Sequence, residues 1–396
     1  MGLAVARFWP LFVLSVVGFA TSFGAHVVVV NLPVYAREVG VGVLVIGLLI
    51  AAYDLAEVVA KPAFGFVADR RGKKQTMLLG LGVFSLASLL FLAVDPRLLL
   101  VVRFLQGLGA AAFSVVSLSL VAEYYDERRG QAYGVYNACK GAGYVVSPII
   151  GGAIVWASDF RMLFVACAGV GLASLLLSLT LPAKRGALAF EDDDDDLSPR
   201  ALLSAFGNRT LLPWYMVIVT NMFLVGILFG FLPVYAGSLG YDQVRVGLLA
   251  SVATGSYLLV QPLAGHLADR FPTERVVWVG IALSAASIAV LPLTDGWALM
   301  ATVVLAGMGV GTVWTNTDMV VSRLARADAL AASIGTAGSF KEIGDMLGPL
   351  VVGALAQFLG LAPAFAICGA MALGSMLVVQ MRQTRSNDFS RSKPSD

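Results

Sequence analysis

Apolar residues run through this chain in long blocks, separated by short stretches where Gly, Pro, Asp, Arg and Lys collect. Twelve blocks stand out, near 8–34, 43–66, 75–94, 98–122, 131–156, 161–181, 211–236, 243–267, 275–293, 297–320, 331–359 and 361–381. A helix of about 20 residues spans the hydrocarbon layer of a bilayer. Strands would leave backbone groups without partners in lipid unless they closed into a barrel. The pattern therefore predicts an all-α membrane protein with twelve transmembrane helices. The blocks also repeat. Leu32-Pro33-Val34-Tyr35-Ala36 returns as Leu232-Pro233-Val234-Tyr235-Ala236, and Gly47-Leu48-Leu49 as Gly247-Leu248-Leu249. Pro62, Gly65, Ala68, Asp69 and Arg70 return as Pro262, Gly265, Ala268, Asp269 and Arg270. Lys140, Gly143, Pro148 and Gly152 return, one position later, as Lys341, Gly344, Pro349 and Gly353. Two pseudo-symmetric six-helix bundles are expected, 1–182 and 211–396, joined by a linker at 183–210. Parallel repeats in a membrane chain point to a carrier with its site between the halves.

Composition agrees with that picture. Hydrophobic residues make up 58% and charged residues 13%, against about 25% charged in a soluble domain. The 42 glycines suit close helix packing in lipid. Lys and Arg crowd the loops on one side, while the other side holds only Arg37, Arg97, Arg161 and Arg245. That asymmetry predicts cytoplasmic termini and a place in the cell's inner (plasma) membrane. The first block is too long for a cleavable signal and reads as an anchor helix. The net charge of +2 follows from the loop asymmetry and does not indicate nucleic acid. The linker carries Glu191 followed by Asp192 to Asp196, a run that must be solvated. Cys139, Cys167 and Cys368 all fall in spans and offer neither a disulfide framework nor metal-ligand spacing.

Three motifs carry more specific information. Between blocks two and three lies Gly65-Phe66-Val67-Ala68-Asp69-Arg70-Arg71-Gly72-Lys73-Lys74, with a weaker copy ending in Asp269-Arg270. Gly65 allows close helix approach, Asp69 can accept backbone N–H bonds at a helix N-terminus, and Arg70 and Lys73 can bridge to acids or carbonyls. Block four holds Leu99, Arg103, Gln106, Gly107, Gly109, Ala110 and Ala111. Arg103 is a membrane arginine, functional by default unless it snorkels to the interface. Block five holds Gly134, Gly143, Ser147, Pro148, Gly151 and Gly152. Together these resemble the signature motifs of the major facilitator superfamily. The block-five motif and Leu32-Pro33-Val34 resemble its drug:proton antiporter branch, with Ser147 standing where that branch has Gly. The resemblance implies alternating access, with the first motif acting as a conformational switch and Asp69 facing helix eleven.

Charges inside the spans form a short set. Block two has Asp54, Glu57 and Lys61 on one helical face; block eleven has Lys341, Glu342 and Asp345; block five has Lys140; block ten has Asp318; block one has His26. Counting 1.5 Å per residue puts Glu57 and Lys341 both roughly 15 Å from the cytoplasmic side. Helices two and eleven face each other in the resembled fold, so Glu57 is expected to meet Lys341, and Asp54 to meet Asp345. Two readings stay open: the charges neutralise one another, or they form a gate whose acids, Asp54, Glu57 and Asp345, carry a coupling proton. Lys140, His26, Asn137, Phe113, Asn221, Trp314 and Asn316 are the candidate substrate-binding residues, since aromatics, amides and a cation suit an amphipathic molecule. His26 is equally a helix-packing residue.

The leading expectation is a secondary transporter that exports a small amphipathic compound against proton entry. The alternative is a carrier of a small organic anion, by proton symport or exchange, centred on Lys140 and Lys341. A membrane enzyme would need a catalytic cluster, and none of the usual ones occurs. No P-loop, metal site or cofactor motif is evident. A sensor that kept the carrier fold remains a third class. The expected partners are the bilayer, a small-molecule substrate and protons, with no nucleic acid, and the protein is expected to be a monomer.

Overall fold

The computed structural model describes residues 2–93, 95–125, 129–182, 210–325 and 330–391. The acidic linker expected at 183–210 lies outside the described residues, Thr210 apart. Twelve α-helices occur among the described residues: α1 Gly2–Glu38, α2 Val43–Arg71, α3 Lys73–Leu90, α4 Leu99–Tyr124, α5 Arg129–Ala157, α6 Phe160–Leu179, α7 Leu212–Ser238, α8 Gln243–Arg270, α9 Thr273–Val290, α10 Gly296–Leu324, α11 Leu330–Leu359 and α12 Leu361–Arg391. Ten of them are long and apolar enough to cross a membrane. The others are α3, whose 18 residues open with Lys73 and Lys74, and α12, whose apolar stretch is Leu361–Leu377.

The helix ends are set by local chemistry. Asp159 caps α6 by accepting the Met162 N–H at 2.8 Å, and Asp295 caps α10 by accepting the Gly296 N–H at 2.6 Å. Both satisfy donors that a helix start leaves free. At the other end of α6, Lys74 Nζ donates to the carbonyls of Leu179 at 2.8 Å and Leu181 at 2.5 Å, a cation where the helix dipole is negative. Gly72 joins α2 to α3 at φ 99°, a left-handed conformation that side chains disfavour.

The chain divides into two compact units, 1–189 with 229–254, and 190–228 with 255–396. In the first unit, a Cβ on Gly143 of α5 would lie 2.5 Å from the Phe19 carbonyl of α1. Gly80 and Gly109 bring α3 against α4 in the same way. Phe91 stacks on Phe164 with centroids 4.7 Å apart. The 229–254 part of α7 and α8 belongs to this unit. Gly247 seats against the Pro148 backbone, Gly152 against the Gln243 carbonyl, and the Ile149 N–H donates to Ser251 Oγ at 3.2 Å. The block-five motif is thus a helix-packing seam, and Ser147 in it is fully buried.

The second unit repeats the device. A Cβ on Gly344 of α11 would lie 2.5 Å from the Val219 carbonyl of α7, as Gly143 does toward α1. Its core holds Trp214, Val217, Val277, Trp278, Ile281, Val313 and Val320. Outward-facing positions are apolar: Leu259 is 82% exposed and Trp297 89%. Exposure on that scale suits a side chain solvated by lipid rather than water.

Leucine at Gly143 or Gly344 should force the crossing helices apart and destabilise the protein by about 1–3 kcal/mol, the usual cost of overpacking. Leucine at Gly169, which has nothing within 4 Å of a built Cβ, should leave the melting temperature in detergent unchanged. Thermal unfolding of the three variants checks this.

Candidate functional site

The deepest polar feature is Arg103 on α4, fully buried despite its size. It does not snorkel. Its Nη1 donates to Gln106 Oε1 at 2.6 Å, one turn along the same helix. Gln106 Nε2 donates to Ser88 Oγ on α3 at 3.2 Å. Ser88 Oγ lies 3.5 Å from Cys167 Sγ on α6, and Cys167 Sγ reaches the Gly24 carbonyl on α1 at 3.6 Å. A chain of polar contacts therefore crosses four helices from one arginine. The guanidinium also stacks over the Tyr53 ring of α2, 4.3 Å from its centroid. Gly107 makes this approach possible, since a Cβ there would meet the Tyr53 carbonyl. Among the described residues, Arg103 Nε and Nη2 have no hydrogen-bond partner.

Helix α2 presents its acids toward this centre. Asp54 is buried at 8% exposure, and both Asp54 and Glu57 act electrostatically on Arg103. Glu57 forms an ion pair with Lys61, one turn along α2, at 2.9 Å. On the opposite face of the helix, Leu55 and Val59 are exposed, so the three charges mark the inward side.

In the second unit, Lys341 Nζ lies 2.7 Å from Asp318 Oδ1 and 2.8 Å from Oδ2. It also sits 4.6 Å from the centre of the Trp314 ring, and Trp314 packs on Tyr257 at 5.4 Å. Glu57 pairs with Lys61 in the first unit and Lys341 with Asp318 in the second. Asp345 lies where α11 meets α7, its backbone and carboxylate against Gly226. Glu342 beside it is half-buried.

Lys140, the repeat counterpart of Lys341, has different surroundings. Its ammonium lies 5.9 Å from the Tyr144 ring centre. Tyr144 meets His26 of α1 edge-on at 4.6 Å, and His26 lies 5.3 Å from Phe229 of α7. His26 is thus an aromatic packing partner within the first unit. Asn137 and Gly134 are exposed on the same stretch of α5. The other expected lining residues are buried. Phe113 packs edge-on against Phe84 at 5.8 Å. Asn221 Nδ2 donates to the Val310 carbonyl at 3.3 Å. Asn316 Nδ2 donates to the carbonyls of Thr312 at 2.8 Å and Ala264 at 3.4 Å. The Oδ1 atoms of both amides have no partner among the described residues.

The loop motif ties helices of the first unit together. Lys73 pairs with Glu123 of α4 at 3.2 Å. Tyr124 donates to the Pro182 carbonyl at 2.7 Å; burial and the adjoining Glu123 carboxylate push its phenol up to about 12, so it stays a donor. Gly65 is half-buried and Arg70 is exposed. The Asp69 side chain lies outside what the structure describes. Asp269 and Arg270 end α8 on the surface.

Sequence reasoning left four members of these clusters without their contacts. Asp318 is a membrane charge to which the sequence assigns no partner. Tyr144 follows Lys140 by one helical turn, a spacing that could have flagged it. Ser88 and Cys167 look like ordinary small packing residues, and nothing in the sequence links them to Arg103.

The family model described as "Major Facilitator Superfamily" matches residues 14–256 and 236–395. An uncharacterized MFS-type transporter of Methanocaldococcus jannaschii is 22% identical over 360 residues, covering 89% of this chain and 92% of that protein. The quinolone resistance protein NorA of Staphylococcus aureus is 25% identical over 382 residues, covering 95% of this chain and 97% of NorA. Among solved structures, a bacterial homologue of the human lysosomal transporter Spinster, in an inward-facing and unoccupied conformation, superposes with a TM-score of 0.76 at 18% identity, over 94% of each chain.

Two stability measurements test the clusters. Ser88→Ala leaves a buried Gln106 donor unpaired and should cost about 1–3 kcal/mol. A double-mutant cycle of Asp318→Asn and Lys341→Met should give a coupling on the order of 1 kcal/mol, as the pair is partly exposed. Both are read from thermal unfolding in detergent.

Proposed function

The chain belongs to the Major Facilitator Superfamily, and from that premise we propose that it is a proton-coupled efflux carrier for a small amphipathic organic compound. The family and fold are those of transporters rather than enzymes, so the activity sought is movement of a small molecule across the bilayer. The efflux direction draws on the likeness to NorA, named for quinolone resistance, and on the block-five motif. The protein works as a monomer in the plasma membrane with both termini in the cytoplasm, an orientation that rests on the lysine and arginine asymmetry.

The observation that carries proton coupling is Asp54. It is buried within the field of Arg103, whose Nε and Nη2 have no hydrogen-bond partner among the described residues. Charge on a buried carboxylate is costly, and the cost changes as water enters or leaves the site. A carrier that alternately wets and dries this face of α2 would therefore load a proton on Asp54 on one side and release it on the other. Glu57, held by Lys61, and Asp345 on α11 are the next candidates. Lys61, Lys341 and Glu342 complete the gate. The loop from Gly65 through Asp69, Arg70, Gly72 and Lys73, with its echo at Asp269 and Arg270, acts as the conformational switch. Alternating access moves the cargo, with no cofactor or metal required.

The test uses purified protein in liposomes with an imposed pH gradient and a panel of amphipathic aromatic compounds. The wild type should accumulate at least one of them uphill. Asp54→Asn should abolish uphill accumulation yet keep downhill exchange. Equal loss of both modes, in a variant that still folds, would remove Asp54 from the coupling role. Uphill transport that persists in Asp54→Asn, Glu57→Gln and Asp345→Asn would overturn proton coupling through these acids.

A further inference from the structure

We propose that the cargo carries a single negative charge, and that Lys140 receives it. This rests on the transport reading above and names the chemistry that reading leaves open. A lysine deep in the membrane is costly unless it is compensated. Lys140 sits eleven residues into α5, roughly 16 Å along its axis, and is only partly exposed.

The repeat supplies a built-in comparison. Lys341 is compensated twice, by both oxygens of Asp318 and by the Trp314 ring. For Lys140, no carboxylate lies within 4.0 Å among the described residues, and its ammonium lies 5.9 Å from the Tyr144 ring centre. The titratable groups around it are Tyr144, Tyr136, Glu57 and Lys61. Tyr136 is hydrogen-bonded to Ser117. Glu57 is the only acid of the four, and Lys61 already holds it at 2.9 Å. Among the described residues, the Lys140 ammonium has no carboxylate or hydrogen-bond acceptor in contact, whereas Lys341 is neutralised by Asp318. Lys140 therefore offers one positive charge.

The neighbourhood of Lys140 also selects the rest of the molecule. Tyr144, His26 and Phe229 form a continuous aromatic row beside the ammonium. Asn137 and Tyr144, three and four residues away, share the helical face of Lys140, and Asn137 is exposed there. A flat aromatic body against the row, with a carboxylate on Nζ, satisfies both the charge and the shape. The class is an aromatic monocarboxylic acid, recognised through a charge-assisted hydrogen bond.

The experiment compares three probes of matched shape on the full-length protein in detergent: 1-naphthylacetate, its methyl ester, and 1-naphthylmethylammonium. Binding is measured by calorimetry and exchange in liposomes. The wild type is expected to bind the acid at least tenfold more tightly than the ester. Lys140→Met should lower acid affinity tenfold or more and leave ester affinity unchanged, while Lys140→Arg should retain the preference. If the ester or the ammonium binds as tightly as the acid and is exchanged, the anion site is overturned and the transport reading stands. Binding and exchange of none of the three would overturn both. Should Lys140→Met not fold, the acid-to-ester ratio of the wild type and Lys140→Arg decides alone.

Discussion

A charge placed in hydrocarbon must find its partner inside the protein, and that demand organises this molecule around Arg103. The guanidinium is fully buried, so it cannot borrow water from the interface. Its contact with Gln106 passes through Ser88 and Cys167 to the α1 backbone, and its flat face rests on Tyr53. Five helices of the first unit are fixed with respect to one side chain. Such a network is costly to leave half-satisfied, and among the described residues two of the arginine's donors have no partner. The acids of α2 lie within its field.

Close packing makes the polar chain possible. In lipid no hydrophobic force presses helices together, so small residues that admit a neighbouring backbone do much of the work. Gly107 lets α4 reach Tyr53, Gly109 lets it reach α3, and Gly143 and Gly344 play equivalent parts in the two repeats. The block-five motif extends this to the start of α8 through Gly152, Pro148 and Gly247. Ser147 fits the seam because its hydroxyl turns back to the Tyr144 carbonyl at 3.3 Å, so the departure from glycine is accommodated.

The two repeats have diverged where chemistry matters most. Lys140 and Lys341 occupy corresponding positions, yet among the described residues only Lys341 of the two has a carboxylate in contact. The difference comes from α10, which supplies Asp318 and Trp314, while the corresponding positions of α4 hold the uncharged Leu118 and Ser114. Symmetry of fold has been kept by the glycines and prolines, and asymmetry of charge has been introduced on the helices beside them.

The helices, the repeat and the identity of every membrane charge were legible in the sequence. Hydrophobic length fixes a span, and helical periodicity fixes which residues share a face, as with Asp54, Glu57 and Lys61. Both are properties of one helix at a time. Partner choice is not. Depth counted along a helix axis does not say how that helix is rotated or which neighbour within its own bundle it faces. Only the tertiary structure turned Lys341 toward Asp318, left Lys140 beside aromatic rings, and joined Ser88 and Cys167 to Arg103. Those assignments depend on side chains from several helices meeting at one point, and no pattern along a single stretch of chain records that meeting.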